Sequence, residues 1–135
     1  MSNKKVNCFG CHNTDVFIMD NPRNNGLTFD NPDEGIFTHT QNSMDIGKFK
    51  APTLKNMALR ENYMHDGIIR GIMGVLNHYN SGIKANVNLD PHLNEKGVPA
   101  QMNLRQEELL SLKAFLETLT DHKIIADKKF SSPFR

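Results

Sequence analysis

The stretch Cys8-Phe9-Gly10-Cys11-His12 decides how the rest of the chain is read. Its pattern, C-x-x-C-H, is the attachment signature of c-type haem. Two thiols three positions apart on a helical turn reach the two vinyl groups of one haem. The imidazole that follows points at the iron as the proximal ligand. Loss of either cysteine leaves a single thioether, and loss of His12 removes the axial bond. Two other uses of paired cysteines compete with this reading. A thioredoxin-like redox pair expects a βαβ pattern, which the chain lacks. A structural zinc site needs four ligands, and no second C-x-x-C accompanies Cys8, Cys11 and His12.

The composition agrees with a single globular unit. A length of 135 residues corresponds to one domain. Hydrophobic residues make up 38% and charged residues 23%. Sixteen basic against fifteen acidic residues leave a formal charge of +1, which excludes a strong electrostatic attraction to nucleic acid or to an anionic membrane. No apolar run approaches the ~18 residues of a membrane helix. Two cysteines are too few for a disulfide framework. The seven methionines are scattered, with no M-x-x-M cluster, and read as flexible core filler rather than a copper site. Residues 1–7 carry neither an apolar h-region nor a small-residue cleavage site. Because c-type haem is attached outside the bacterial cytoplasm, the chain reads as a fragment of a longer, exported protein.

Residues 13–47 are rich in Asn, Asp, Gly, Pro and Thr, with no sustained period. A loop of that length is expected to wrap a ligand. Residues 52–59 read as a short helix with Pro52 in its first turn, and Tyr63-Met64-His65-Asp66-Gly67 as a turn. Residues 71–80 read as a helix closed by Asn80-Ser81-Gly82. Its apolar stripe is Ile72, Val75, Leu76 and Tyr79. A second long loop covers 83–102. The last helix starts at the N-cap Asn103, with Gln106 in a capping-box-like position. It presents Leu109, Leu112, Phe115, Leu116 and Leu119 on one face. Phe130 and Phe134 are candidate anchors of a polar tail. No stretch alternates like a strand, so the expected class is all-α: one cytochrome-c-like domain over 1–135, a few helices and long loops around one c-type haem.

Five segments in order carry a family resemblance. They are Cys8–His12, Phe49-Lys50-Ala51-Pro52-Thr53-Leu54-Lys55-Asn56, Tyr63–Gly67, His78-Tyr79-Asn80-Ser81-Gly82 and the stretch LSLKAFLETLTD over 110–121. Together they resemble the C-terminal haem domain of bacterial di-haem cytochrome c peroxidases and their MauG-type relatives. The resemblance implies a periplasmic, two-domain parent with two c-type haems and interdomain calcium. The N-terminal haem domain, where hydrogen peroxide reacts, is the implied partner, as is a small electron-donor protein. Homodimerisation stays open.

The resemblance also implies where the second axial ligand lies. The family carries it fourteen residues beyond the His of the Y-x-H-D-G segment, as Met in peroxidases and Tyr in MauG-type enzymes. From His65 that count lands on Tyr79. A Tyr ligand favours ferric iron and lowers the potential, whereas Met raises it. Met64 and Met73 are the rivals. Met73 lies about 120° around the helix from Tyr79, so the two cannot share one iron. His65 is placed by the family near the haem edge or between the domains, and a turn histidine bonded to backbone is the alternative. His39, His78, His92 and His122 read as exposed. Lys50, Lys55 and Arg60 are candidates for the haem propionates. At Lys55 the family commonly has Arg, so the bidentate fork is lost. Calcium would draw on backbone carbonyls near Arg60 and Asn62.

Two functions follow. The first is the electron-transfer haem domain of a di-haem peroxidase, an oxidoreductase whose isolated domain has little peroxidase activity. The second is a stand-alone mono-haem cytochrome c. A variant of the first, set by a Tyr79 ligand, is MauG-like oxidation of another substrate.

Overall fold

The computed structural model describes residues 7–134; the reading of residues 1–6 lies outside them. Regular structure begins late. Strand β1 (Met19–Arg23) pairs antiparallel with β2 (Phe49–Ala51), with an irregular register between Met19 and Arg23. Pro22 is tolerated there because a two-stranded ladder has only edge strands. Helix α1 (Phe37–Thr40) is a single turn. Strands β3 (Asn62–Tyr63) and β4 (Ile69–Arg70) form a hairpin around the Met64–Ile68 turn. Helix α2 (Gly71–Asn77) follows directly and runs into a π-helical turn, His78–Gly82. Strands β5 (Asn94–Glu95) and β6 (Val98–Pro99) make a second hairpin, turned by Lys96 and Gly97 at positive φ. Helices α3 (Gln106–Thr118) and α4 (His122–Ala126) close the chain.

The fold is therefore mixed, with 39% helix and 13% strand in three small antiparallel sheets. This corrects the all-α expectation. The ladders run two to five residues, too short for a period of two to stand out in sequence. The expected helix over 52–59 is also corrected. Pro52 follows β2, and only Met57–Leu59 winds, as a 3₁₀ turn. The helices over 71–80 and near 103–120 are present. The second starts two residues late, with Arg105 as cap; its backbone N–H donates to Glu108 Oε2 at 2.8 Å.

The apolar core is small. Met57, Ile72 and Leu116 form its centre, with Leu54, Ala58, Tyr63, Leu76 and Leu119 packed around them. Asn56 fastens α3 to this centre: its N–H donates to Leu119 O at 3.0 Å, and its Oδ1 accepts from Asp121 N at 2.6 Å. Phe130 and Phe134 are exposed and anchor nothing. Elsewhere asparagines replace apolar packing. Asn24 is buried and donates to Asn31 and Asn86, each at 3.2 Å. Buried Asn88 donates to the carbonyls of Ser43 and Ile46. No large side chain among the described residues is fully buried. The chain exposes 9479 Å², against about 7,100 Å² for a compact monomer of this mass.

Candidate functional site

Cys8–Gly10 winds as one 3₁₀ turn, which His12 extends by donating its N–H to Cys8 O at 2.9 Å. Gly10 is closely packed there: a β-carbon would lie 3.0 Å from the Asn7 amide and 3.1 Å from the His92 ring, so those side chains would have to shift by a few tenths of an ångström. His12 Nδ1 lies 2.9 Å from Phe17 O. A carbonyl only accepts, so Nδ1 carries the proton and Nε2 presents its lone pair. This is how a metal-ligating histidine is oriented and kept basic. Phe17 holds φ at 55°, and its own N–H donates to Thr14 O at 2.8 Å. The local loop thus builds the acceptor for His12.

The thiols of Cys8 and Cys11 are half-buried, unpaired and pushed up in pKa by that burial. At Cys11 the Asp90 carboxylate pushes in the same direction. Redox-active pairs need a lowered thiol pKa, so the electrostatics oppose a thioredoxin-like role.

Tyr79 stands in the π-helical turn. Its ring meets His78 edge-on, with centroids 5.0 Å apart. Burial is the main cause that pushes its hydroxyl up to about 12. His78, expected to be exposed, is instead buried and held neutral by that burial, with Nε2 donating to Asn25 O at 3.0 Å. Met64 adopts φ of 72°, unusual for a side chain other than glycine. Its sulfur accepts from Asn25 Nδ2 at 3.2 Å. Asn25 therefore links the Met64 sulfur to the buried His78 ring.

The other expected residues spread further. His65 stacks on Phe49, with ring centroids 3.8 Å apart and planes 8° from parallel. Lys50, Lys55 and Arg60 are exposed. The Arg60 carbonyl lies 2.8 Å from the Tyr63 hydroxyl, which also reaches Met57 O at 2.7 Å. Sequence reasoning missed the Arg23–Asp90–His92 cluster. Arg23 Nη1 donates to Asp90 Oδ2 at 2.7 Å, and His92 Nδ1 lies 2.9 Å from Asp90 Oδ1. Burial alone would raise the Asp90 pKa, yet donation from the His92 N–H, the His92 ring and Arg23 holds it below its ordinary value. The one signal available was a charged residue inside a turn-rich loop, which reads as solvated.

The donor set fits a haem. Two protonated thiols on one turn are followed by an imidazole with a free Nε2, and Phe9 between them is 65% exposed. The thin core and surplus surface agree with a cofactor supplying apolar packing. Among the described residues, no three His, Cys, Asp or Glu side chains converge as a metal site, and no helix is long and apolar enough to cross a membrane.

These features fit a haem-binding domain, and the comparisons name a family of oxidoreductases. No family model matches the chain. It is 33% identical over 116 residues to the methylamine utilization protein MauG of Methylorubrum extorquens, covering 85% of this chain and 31% of that protein. It is also 33% identical over 88 residues to the cytochrome-c peroxidase IdrP1 of Denitromonas iodatirespirans, covering 65% of this chain and 22% of that protein. A MauG-like protein associated with microbial copper homeostasis matches in structure with a TM-score of 0.77 and 31% identity, over 98% of this chain and 48% of that one. The chain belongs to the family of MauG and the bacterial di-haem cytochrome c peroxidases. It spans less than half the length of these relatives.

Proposed function

We propose that this chain is the electron-transfer haem domain of a di-haem cytochrome c peroxidase-type oxidoreductase in the periplasm. Cys8 and Cys11 would attach one c-type haem, and His12 and Tyr79 would hold its iron. The observation that carries the reading is the His12–Phe17 bond, which engages Nδ1 and leaves Nε2 available on a C-x-x-C-H turn. A haem held there supplies a one-electron centre. The protein's part is to orient the imidazole, to cover one haem face, and to keep Tyr79 protonated until a cation faces its oxygen. Arg23, pinned by Asp90, provides positive charge beside Cys11. The complete enzyme takes two electrons from a donor protein and two protons to convert one hydrogen peroxide into two waters, with peroxide reacting in the N-terminal haem domain.

Tyr79 favours a second reading, in which the parent oxidises a protein or small molecule in the manner of MauG. Both readings require the same attachment. A pyridine haemochrome spectrum, taken after export with haem-maturation machinery, is expected to show one c-type haem per chain. Cys8→Ala/Cys11→Ala is expected to lose it entirely. Absence of covalent haem from the parent chain overturns both.

A further inference from the structure

We infer that His92 is a positioning residue for haem attachment: its ring, held by Asp90, backs the cysteine turn at Gly10 and keeps Cys8 and Cys11 presented together. The inference rests on the haem reading above. Among the described residues, the hydrogen bonds of 8–12 all stay within 7–17. None of them ties the turn to a distant part of the chain. The His92 ring makes that connection. A β-carbon at Gly10 would lie 3.1 Å from its Cδ2, so the ring packs directly on the backbone between the two cysteines.

The ring is itself fixed. Asp90 caps the 3₁₀ turn Pro91–Leu93, with Pro91 pre-set for its first position. One carboxylate oxygen, Oδ1, accepts from the His92 backbone N–H at 2.8 Å and from the ring Nδ1 at 2.9 Å. The other accepts from Arg23 Nη1 at 2.7 Å, and the Asp90 N–H donates to Asn24 O at 3.0 Å. The Asp90 side chain is 1% exposed, so these bonds are shielded from water. The end of strand β1 thereby braces the cysteine turn through Asp90 and His92. Attachment chemistry gives the brace a use. Each thioether forms when a thiol adds across a vinyl group, sulfur to one carbon and hydrogen to the other, with no net oxidation. Two such additions to one haem need both thiols held at one spacing. A turn free to open completes one and misses the other.

The test counts free thiols rather than activity. Chains are exported with haem-maturation machinery, denatured, alkylated and weighed by mass spectrometry. Cys8 and Cys11 are the chain's two cysteines, so a haem-bearing chain with both thioethers takes no alkyl group and one with a single thioether takes one. The parent is expected to take almost none. His92→Ala is expected to raise the singly attached share at least about fivefold. Asp90→Asn keeps an oxygen for the His92 ring but loses the charge that faces Arg23. It is expected to lose more stability to urea and yet to attach haem as the parent does. A merely structural role would give the opposite order, because the His92 side chain is 41% exposed and the Asp90 side chain 1%. His92→Asn keeps a donor for Asp90 without the ring and serves if the alanine variant does not accumulate. Parental attachment in His92→Ala or His92→Asn overturns the inference. So does a singly attached share that is larger in Asp90→Asn than in His92→Ala. These outcomes leave the functional reading standing, whereas a parent without covalent haem removes both.

Discussion

The cysteine turn at 8–12 and the asparagine segment at 24–31 are built by opposite means. The turn is local. Its hydrogen bonds span three to five residues, from Cys8 to His12 and from His12 to Phe17. The asparagine segment is held from afar. Asn24 and Asn31 bond Asn86, Asn25 bonds Met64 and His78, and Arg23 bonds Asp90, across 39 to 67 residues. A site made of both kinds shows only its local half in sequence, because spacing encodes the first and three-dimensional closure the second. The comparison also locates fragility. Long-range polar contacts that replace an apolar core must all be satisfied together.

Gly26 sits inside that closure, and of the substitutions compared below its replacement has the largest expected effect. Gly26→Ala places a β-carbon against Ile83, Lys84 O and Leu89 at 2.7 to 2.9 Å, at a φ of 66°. Overpacking and the left-handed backbone together cost about 3 kcal/mol. Gly71→Ala has nearly the same φ, 68°, but its β-carbon meets nothing within 4 Å. It costs about 1 kcal/mol, from the backbone alone. Urea unfolding of the two haem-loaded variants measures the difference. Equal losses would show that segment 24–31 yields easily and that its long-range contacts are not what fixes Asn25.

Asp90→Asn probes the charged part of the same network. Asp90 is 1% exposed at its side chain and faces Arg23 and His92. Arg23 keeps 26% of its side chain in solvent, which moderates the loss to about 2 kcal/mol. The pH dependence follows from the direction of the shift. A carboxyl held below its unfolded value of about 3.9 contributes fully above that value and loses its contribution as the pH falls through the folded pKa. The gap between parent and Asp90→Asn should therefore be widest near pH 7 and narrow below about pH 4, read from urea midpoints. A gap that stays constant with pH would remove the charge from the account and leave only shape.

How much of this was legible follows the same division. The C-x-x-C-H turn, the helix over 71–80 and the apolar face of α3 rest on spacing, and the structure contains all three, except that Phe115, read onto that face, is exposed while Leu109 and Leu116 are buried. The strands were not legible, since ladders such as Asn62–Tyr63 have no period and are selected by their partners. Nor was His78, which looked like a surface residue because its acceptor, Asn25 O, lies 53 residues away. Asn25 read as turn chemistry within Asn24-Asn25-Gly26. That reading was true of its backbone and silent about its amide.

Helix α3 supplies the local extreme, and there a polar contact should matter least. Lys113 and Glu117 pair at i,i+4 on its surface, at 37% and 46% side-chain exposure. Lysine precedes glutamate, the less favourable order against the helix dipole. Lys113→Ala is expected to cost about 0.3 kcal/mol and to do so less at high salt. Alanine's higher helix propensity offsets part of even that. Urea unfolding at low and high salt checks it. The helix stands on Leu109 and Leu116, which its sequence period already placed inward. A loss above about 1 kcal/mol would mean that surface charge, rather than the buried stripe, holds α3 against the core.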